Sequence, residues 1–263
     1  MRVSVIATAG NIAGEALSNK SVVMFDILRA SSTISTALAN GCKEVIPVID
    51  VEDAFALARQ LPEGSFILGG ERGAIKVTGF HLGNSPLEYT ASVVKDKTVI
   101  ISTTNGTKAI RYAAGENGRV FIGSLLNCSS VAKALADLSK DIVLVCAGTR
   151  GKFSLEDTLA AGLVIKDLLK FFNKNPWQAK TQEHNKFYLE ETPIFNNDAL
   201  ILEDAAVAAL RLAEYYWQSP IQGLLDSLHG QKLLQLGLAA DLDYCSKLNH
   251  LTNVPVFFND KIL

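Results

Sequence analysis

Short apolar runs separated by helical periodicity set the pattern of this chain. "SVVMFDIL", "KEVIPVI", "SFILGG", "TVIIST", "RVFIGS" and "DIVLVCAG" are rich in Val and Ile and bounded by polar or small residues, as strands are. They are apolar at nearly every position rather than at alternate ones, so both faces of the sheet they form must be covered. Helical patterns follow several of them: 32–40 closed by Gly41, 52–61 before Pro62, 105–114 closed by Gly115, 129–138 and 155–171. Repeated βα units predict an α/β fold of three layers, a mostly parallel or mixed sheet with helices on both faces.

Residues 173–199 break this pattern: they are polar, carry two prolines, and read as a loop or excursion. They are the one candidate sub-division of what is otherwise a single α/β catalytic domain spanning 1–263. Beyond them "LEDAAVAALRLAEYYW" has strong helical periodicity, "GLLDSLHGQKLLQLG" and "LAADLDYCSKL" read as shorter helices, and "VPVFFND" as a final strand.

Composition narrows the function classes. The 263 residues are 48% hydrophobic, enough for a sizeable core. The 25 basic and 27 acidic residues nearly cancel without a basic block, which argues against nucleic-acid or anionic-membrane partners and leaves a small anion open. Cys42, Cys128, Cys146 and Cys245 lack CxxC spacing, and "MRVSVIATAG" lacks the features of a signal peptide, so reduced core thiols in a cytoplasmic protein are expected. No apolar run is long enough to span a bilayer.

The chemistry lies where the strands end. In open α/β sheets ligands sit beyond the carboxyl ends of the strands, where turns and helix N-termini share one rim. "FDILRASST" delivers Asp26, Arg29, Ser31, Ser32 and Thr33. Arg29 can grip a phosphate and Asp26 a hard cation; an N-cap with an Asp–Arg pair is the simpler reading. "GGERG" sets Glu71 and Arg72 between glycines, and "HLGNSPLEY" makes a compact turn at Asn84 and Ser85. "STTNGTK" offers Thr103, Thr104, Asn105, Gly106 and Thr107 as a nest for an anion at a helix start.

Two further tails follow. "GSLLNCSS" supplies Ser124 and Asn127, while its Ser129 and Ser130 read as caps. In "AGTRGKFSLEDTLAAG", Ser154 and Asp157 have capping-box spacing, which by itself accounts for Glu156 and Asp157 in the first turn. If that helix start shares the rim of Asp26, the carboxylates together suit Mg²⁺.

Other chemistries lose support. Walker A, GxGxxG and GxSxG are absent, and the histidines have no zinc spacing; His229 beside Gly230 reads as a helix-end residue. Asp26 has no second Asp two positions on, and Cys146 with Arg150 makes CxxxR, not the Cx₅R of Cys-dependent phosphatases.

Taken together, "FDILRASSTISTALANG", "GGERG", "GFHLGNSPLEY", "STTNGTKAI", "IGSLLNCSSVA" and "AGTRGKFSLEDTLAAG", in this order, resemble the 2-phosphosulfolactate phosphatase family. A fainter likeness continues through "HGQKLLQLGLAADLDYC". The resemblance implies a Mg²⁺-dependent phosphatase converting (2R)-phospho-3-sulfolactate to sulfolactate and phosphate, a step of coenzyme M biosynthesis in methanogens. On that basis Asp26 and one or more of Glu71, Glu156 and Asp157 would hold Mg²⁺, and Arg29 and Arg72 would share the substrate's anionic groups with the threonine turn and Asn127. Water attack and an aspartyl phosphate on Asp26 both remain open. The competing reading is a binding or regulatory protein for a small phosphorylated acid. A homodimer is expected only because symmetric dimers are common.

Overall fold

The computed structural model describes residues 1–12, 17–115, 118–172 and 200–263. Its strands are β1 (Arg2–Ile6), β2 (Ser21–Phe25), β3 (Glu44–Pro47), β4 (Phe66–Arg72), β5 (Ile75–Lys76), β6 (Thr98–Ser102), β7 (Val120–Gly123), β8 (Ile142–Cys146), β9 (Ile201–Leu202), β10 (Val256–Phe258) and β11 (Lys261–Ile262). The helices are α1 (Ala30–Ala39), α2 (Val51–Ala58), α3 (Ala91–Val94), α4 (Gly106–Ala114), α5 (Cys128–Leu138), α6 (Leu155–Phe171), α7 (Asp204–Tyr216), α8 (Pro220–Asp226), α9 (Leu228–Gln235) and α10 (Ala239–Cys245).

The described strands form one mixed sheet in the order β5-β4-β6-β3-β11-β10-β7-β2-β8-β1-β9. Two parallel blocks, β4-β6-β3 and β7-β2-β8-β1-β9, are joined by the hairpin β10–β11, which pairs antiparallel with β7 on one side and β3 on the other. The expected α/β fold with helices on both faces is therefore observed. The last apolar run forms a hairpin inside the sheet, and β1, β5, β9 and β11 were not among the runs its pattern singled out. Three of these four are two residues long, too short for periodicity to register.

Successive residues of a strand face opposite sides. Val23 and Phe25 pack with Val131 and Leu135 of α5 and Val164 and Leu168 of α6. Val22 and Met24 pack with Ile34 of α1 and Ile110 of α4 on the other face. A smaller cluster seats Ala54 and Ala58 of α2 against Leu68 and Ile100. Double burial is why these strands read as continuous apolar runs. The possible sub-division at 173–199 lies outside the described residues, and among them no helix is long and apolar enough to cross a membrane.

The hairpin joins the two blocks by strand pairing on both sides, and its Phe257 is buried with Ile262 in the α1/α4 core beneath the guanidinium of Arg111. Phe257→Ala is expected to lower the unfolding free energy by about 3 to 5 kcal/mol, read as a shift of the urea midpoint. A loss under about 1 kcal/mol would show that the hairpin adds little to the sheet.

Candidate active site

The carboxyl ends of β2, β4, β6 and β8 open on one cavity of about 500 Å³. Asp26, Arg29, Glu71, Asn84, Thr104, Asn105 and Glu156 line it, so the tails after these strands share a rim.

Asp26 sits between the N-termini of two helices. Its Oδ1 accepts from the Ala30 amide of α1 at 3.3 Å. On the other side, a Cβ added at Gly106, the first residue of α4, would lie 2.7 Å from Oδ2 and 2.5 Å from the Ala30 Cβ. Glycine is needed there because the helix start closes directly on the carboxylate. Burial pushes the Asp26 carboxyl up to about 7; Glu71 and then Glu156 add to the rise, against the Ala30 hydrogen bond and Arg29. Burial also raises Glu156, opposed by hydrogen bonds to its own backbone and to the hydroxyls of Ser154 and Ser227.

Glu71 is held on three sides. Its Oε1 accepts from the Thr104 amide at 2.8 Å, and its Oε2 from the Ala74 amide at 2.6 Å and the Thr104 hydroxyl at 3.1 Å. Arg29 is anchored by Asp241 of α10, with Nη1 donating to Oδ2 at 2.5 Å and Nη2 to the Ala74 carbonyl at 3.0 Å. Both partners are almost fully buried.

Several residues expected to bind substrate do other work. Ser31 and Ser32 donate to the carbonyls of Asp26 and Ile27, and Thr33 to that of Asn84. Ser85 donates to Asp241 Oδ1 at 2.5 Å. Thr103 and Thr107 cap α4 reciprocally: Thr103 Oγ1 accepts from the Thr107 amide and Thr107 Oγ1 donates to the Thr103 carbonyl. Of the threonine turn, only Thr104 and Asn105 line the cavity. Asn127 accepts from the Ser124 amide and hydroxyl and donates to the Ile122 and Asn253 carbonyls, pinning the turn after β7 to the C-terminal segment.

Arg72 turns away from the cavity lining and donates to the Glu71 and Ile49 carbonyls and to Ser102 Oγ. Asp157 is also outside the lining. Its Oδ1 accepts from the Ile27 amide at 2.8 Å and its Oδ2 from the Gly148 amide at 3.2 Å, tying the β2 turn to the β8 turn. Ser154 caps α6 by accepting from the Asp157 amide, as its spacing predicts.

Six titratable residues that line or support the cavity lie outside the sequence-derived set: Asp241, Arg150, Lys152, Asp226, His229 and Lys232. Asp241 carried a legible signal, being a carboxylate on the same helical face as Leu238, Leu242 and Cys245. The helix-end reading of His229 gives its position but not its place in the cavity wall.

The class follows from fold and cavity together: an α/β protein whose cavity lies outside the carboxyl ends of its strands, where such folds place small ligands, with acidic and basic walls. A model of the 2-phosphosulpholactate phosphatase family matches residues 6–260, and the chain belongs to that family, as the motif resemblance implied. A relative from Symbiobacterium thermophilum, described as a probable 2-phosphosulfolactate phosphatase, is 41% identical over 249 residues, covering 95% of this chain and 96% of its own. Proteins of the same description from Clostridium novyi and Clostridium acetobutylicum are each 38% identical, over 100% of this chain and 99% and 100% of theirs.

The carboxyl shift makes a stability prediction. Between the ordinary Asp value near 4 and the folded value of about 7, the folded chain keeps the Asp26 proton and the unfolded chain has lost it. Stability in EDTA is therefore expected to fall as pH rises through that window, with the whole penalty present above it. Asp26→Asn should raise the unfolding free energy at pH 8 by on the order of 4 kcal/mol and flatten the slope between pH 4 and 7. Urea titrations giving the same slope for both proteins would contradict this.

Proposed function

We propose that this protein is a Mg²⁺-dependent phosphatase that hydrolyses (2R)-phospho-3-sulfolactate to (R)-3-sulfolactate and phosphate. The observation that carries the reading is the convergence of Asp26, Glu71, Glu156 and Arg29 on one cavity in a member of the 2-phosphosulpholactate phosphatase family.

The donor set fits the metal. Among the described residues no group of three or more His, Cys, Asp or Glu side chains is placed to hold an ion. Mg²⁺ ordinarily takes one or two carboxylates and fills its shell with water and substrate phosphate. Asp26 and Glu71 suit that role: both face the cavity, and the Glu71 charge makes the Asp26 carboxyl harder to ionise in the absence of a cation. Asp157 does not, because it lies outside the cavity lining, tied between the β2 and β8 turns. When bound, Mg²⁺ would offset this repulsion and polarise a phosphoryl oxygen.

The chain's own groups do the rest. Asp241 and the Ala74 carbonyl hold Arg29 at the floor, where its charge opposes the negative charge that spreads over the equatorial oxygens as the phosphoryl group transfers. Thr104 and Ala74 keep Glu71 from swinging, so the floor is preorganised. Glu156, raised by burial and facing the cavity, orients the attacking water and accepts its proton.

Phosphate release from racemic phosphosulfolactate is expected with Mg²⁺ and is expected to vanish with EDTA. Glu156→Gln should lower kcat by about 10²- to 10⁴-fold without changing the half-saturating Mg²⁺ concentration. Asp26→Asn and Glu71→Gln should raise that concentration. Release that survives EDTA, or no release from any phosphate ester, would overturn the reading, and the second result would favour a binding protein.

A further inference from the structure

We propose that Arg150 and Lys152, from the turn between β8 and α6, and His229 and Lys232, from α9, form a second anion subsite on the cavity wall, which selects substrates carrying a strong-acid group beside the phosphate. The assignment of the phosphate to the floor rests on the phosphatase reading above.

All four side chains line the same cavity as the carboxylates. None of the three cations makes an ion pair with any described residue, whereas Arg29, on the floor, is paired with Asp241. Cations gathered in a concave site without carboxylate partners repel one another and raise the local potential, which an incoming anion relieves. Lys232 marks where wall meets floor: its Nζ lies 4.0 Å from the position of a Cβ on Gly73, two residues after Glu71.

The field converges on His229. Burial, then Lys232, Arg29 and Arg150, depress its imidazole to about 4 against the pull of Glu71. It is therefore neutral at physiological pH and keeps one N–H donor for an anionic oxygen. Asn84 lines the same cavity with its Oδ1 buried and unpartnered; as an acceptor it is satisfied by a donor such as a water and not by the anion itself.

The site thus has two electrostatic halves, a floor of carboxylates with Arg29 and a wall where three cations, without an ion pair to any described residue, outnumber the Asp226 carboxylate, whose oxygens accept from Tyr216 and Gln222. A phosphate ester with no second charge can use only the floor. One that also carries a sulfonate or carboxylate engages both halves, and the fully ionised sulfonate brings three acceptor oxygens to a wall that supplies donors.

The test compares kcat/KM for racemic phosphosulfolactate with that for isopropyl phosphate, which lacks the second acid, in wild type, Lys232→Met and Arg150→Met. Each substitution should lower the value for phosphosulfolactate by about 10- to 100-fold more than for isopropyl phosphate. Equal losses on the two esters, or no loss on either, would overturn the proposal. Calorimetric binding of sulfolactate, which has no phosphate, separates the two readings. If wild type hydrolyses no ester but binds sulfolactate at least about tenfold more tightly than Lys232→Met, the phosphatase reading fails and the subsite stands. If hydrolysis proceeds with selectivity unaltered in both variants, the subsite fails and the phosphatase reading stands.

Discussion

The ion pair between Arg29 and Asp241 is the contact on which the geometry of the site depends. It joins the turn after β2 to α10, 212 residues later, with both side chains nearly excluded from water. Such a pair is tolerable only when its remaining polar positions are satisfied, and here the Ala74 carbonyl takes the second Arg29 nitrogen while Ser85 donates to the other Asp241 oxygen. Four segments distant in sequence are thereby held together. Asp241 is the ion-pair partner of Arg29, and of the influences on Asp26 the Arg29 charge stands after burial, Glu71, the Ala30 hydrogen bond and Glu156.

That acidic floor opposes folding. Burial raises both Asp26 and Glu156, Glu156 makes Asp26 harder still to ionise, and Asp157 is pushed well above the ordinary carboxylate range by burial and by both neighbours. The starts of α1, α4 and α6 offset part of this, because their N-termini place amide donors and positive dipole ends at the same rim. The two large core clusters on either face of the sheet carry the remainder. A site that binds a cation or a transferring phosphoryl group is expected to be destabilising when empty.

The hydroxyls crowded at the strand ends have a structural explanation. Turns at the rim of a doubly covered sheet are buried, so their carbonyls must find donors without water. Ser31, Ser32, Thr33 and Thr107 supply them. Close closure of those turns in turn lets Gly106 press against Asp26 and lets the Thr104 amide and hydroxyl reach Glu71. Many residues with the appearance of ligand donors therefore shape the site without lining it.

Much of this was determined by the sequence alone. Apolar runs and helical periods are local properties, so six strands, the helices that follow several of them, the layer architecture and the shared rim were all legible, and Asp26, Arg29, Glu71 and Glu156 followed from their places at or beyond strand ends. The motif blocks carried family membership, since their order is itself a sequence property. Tertiary structure decided what local pattern cannot express. A hydroxyl's partner depends on which backbone it meets across the turn, so Thr103 became a cap and Thr104 a cavity residue one position later. Whether a carboxylate faces the cavity or a neighbouring turn depends on helix phase, which separates Glu156 from Asp157. The placement of His229 and Lys232 beside Arg150, and of Asp241 beneath Arg29, required the C-terminal helices to pack back on the first turn of the sheet, a contact between distant residues that neither period nor spacing encodes.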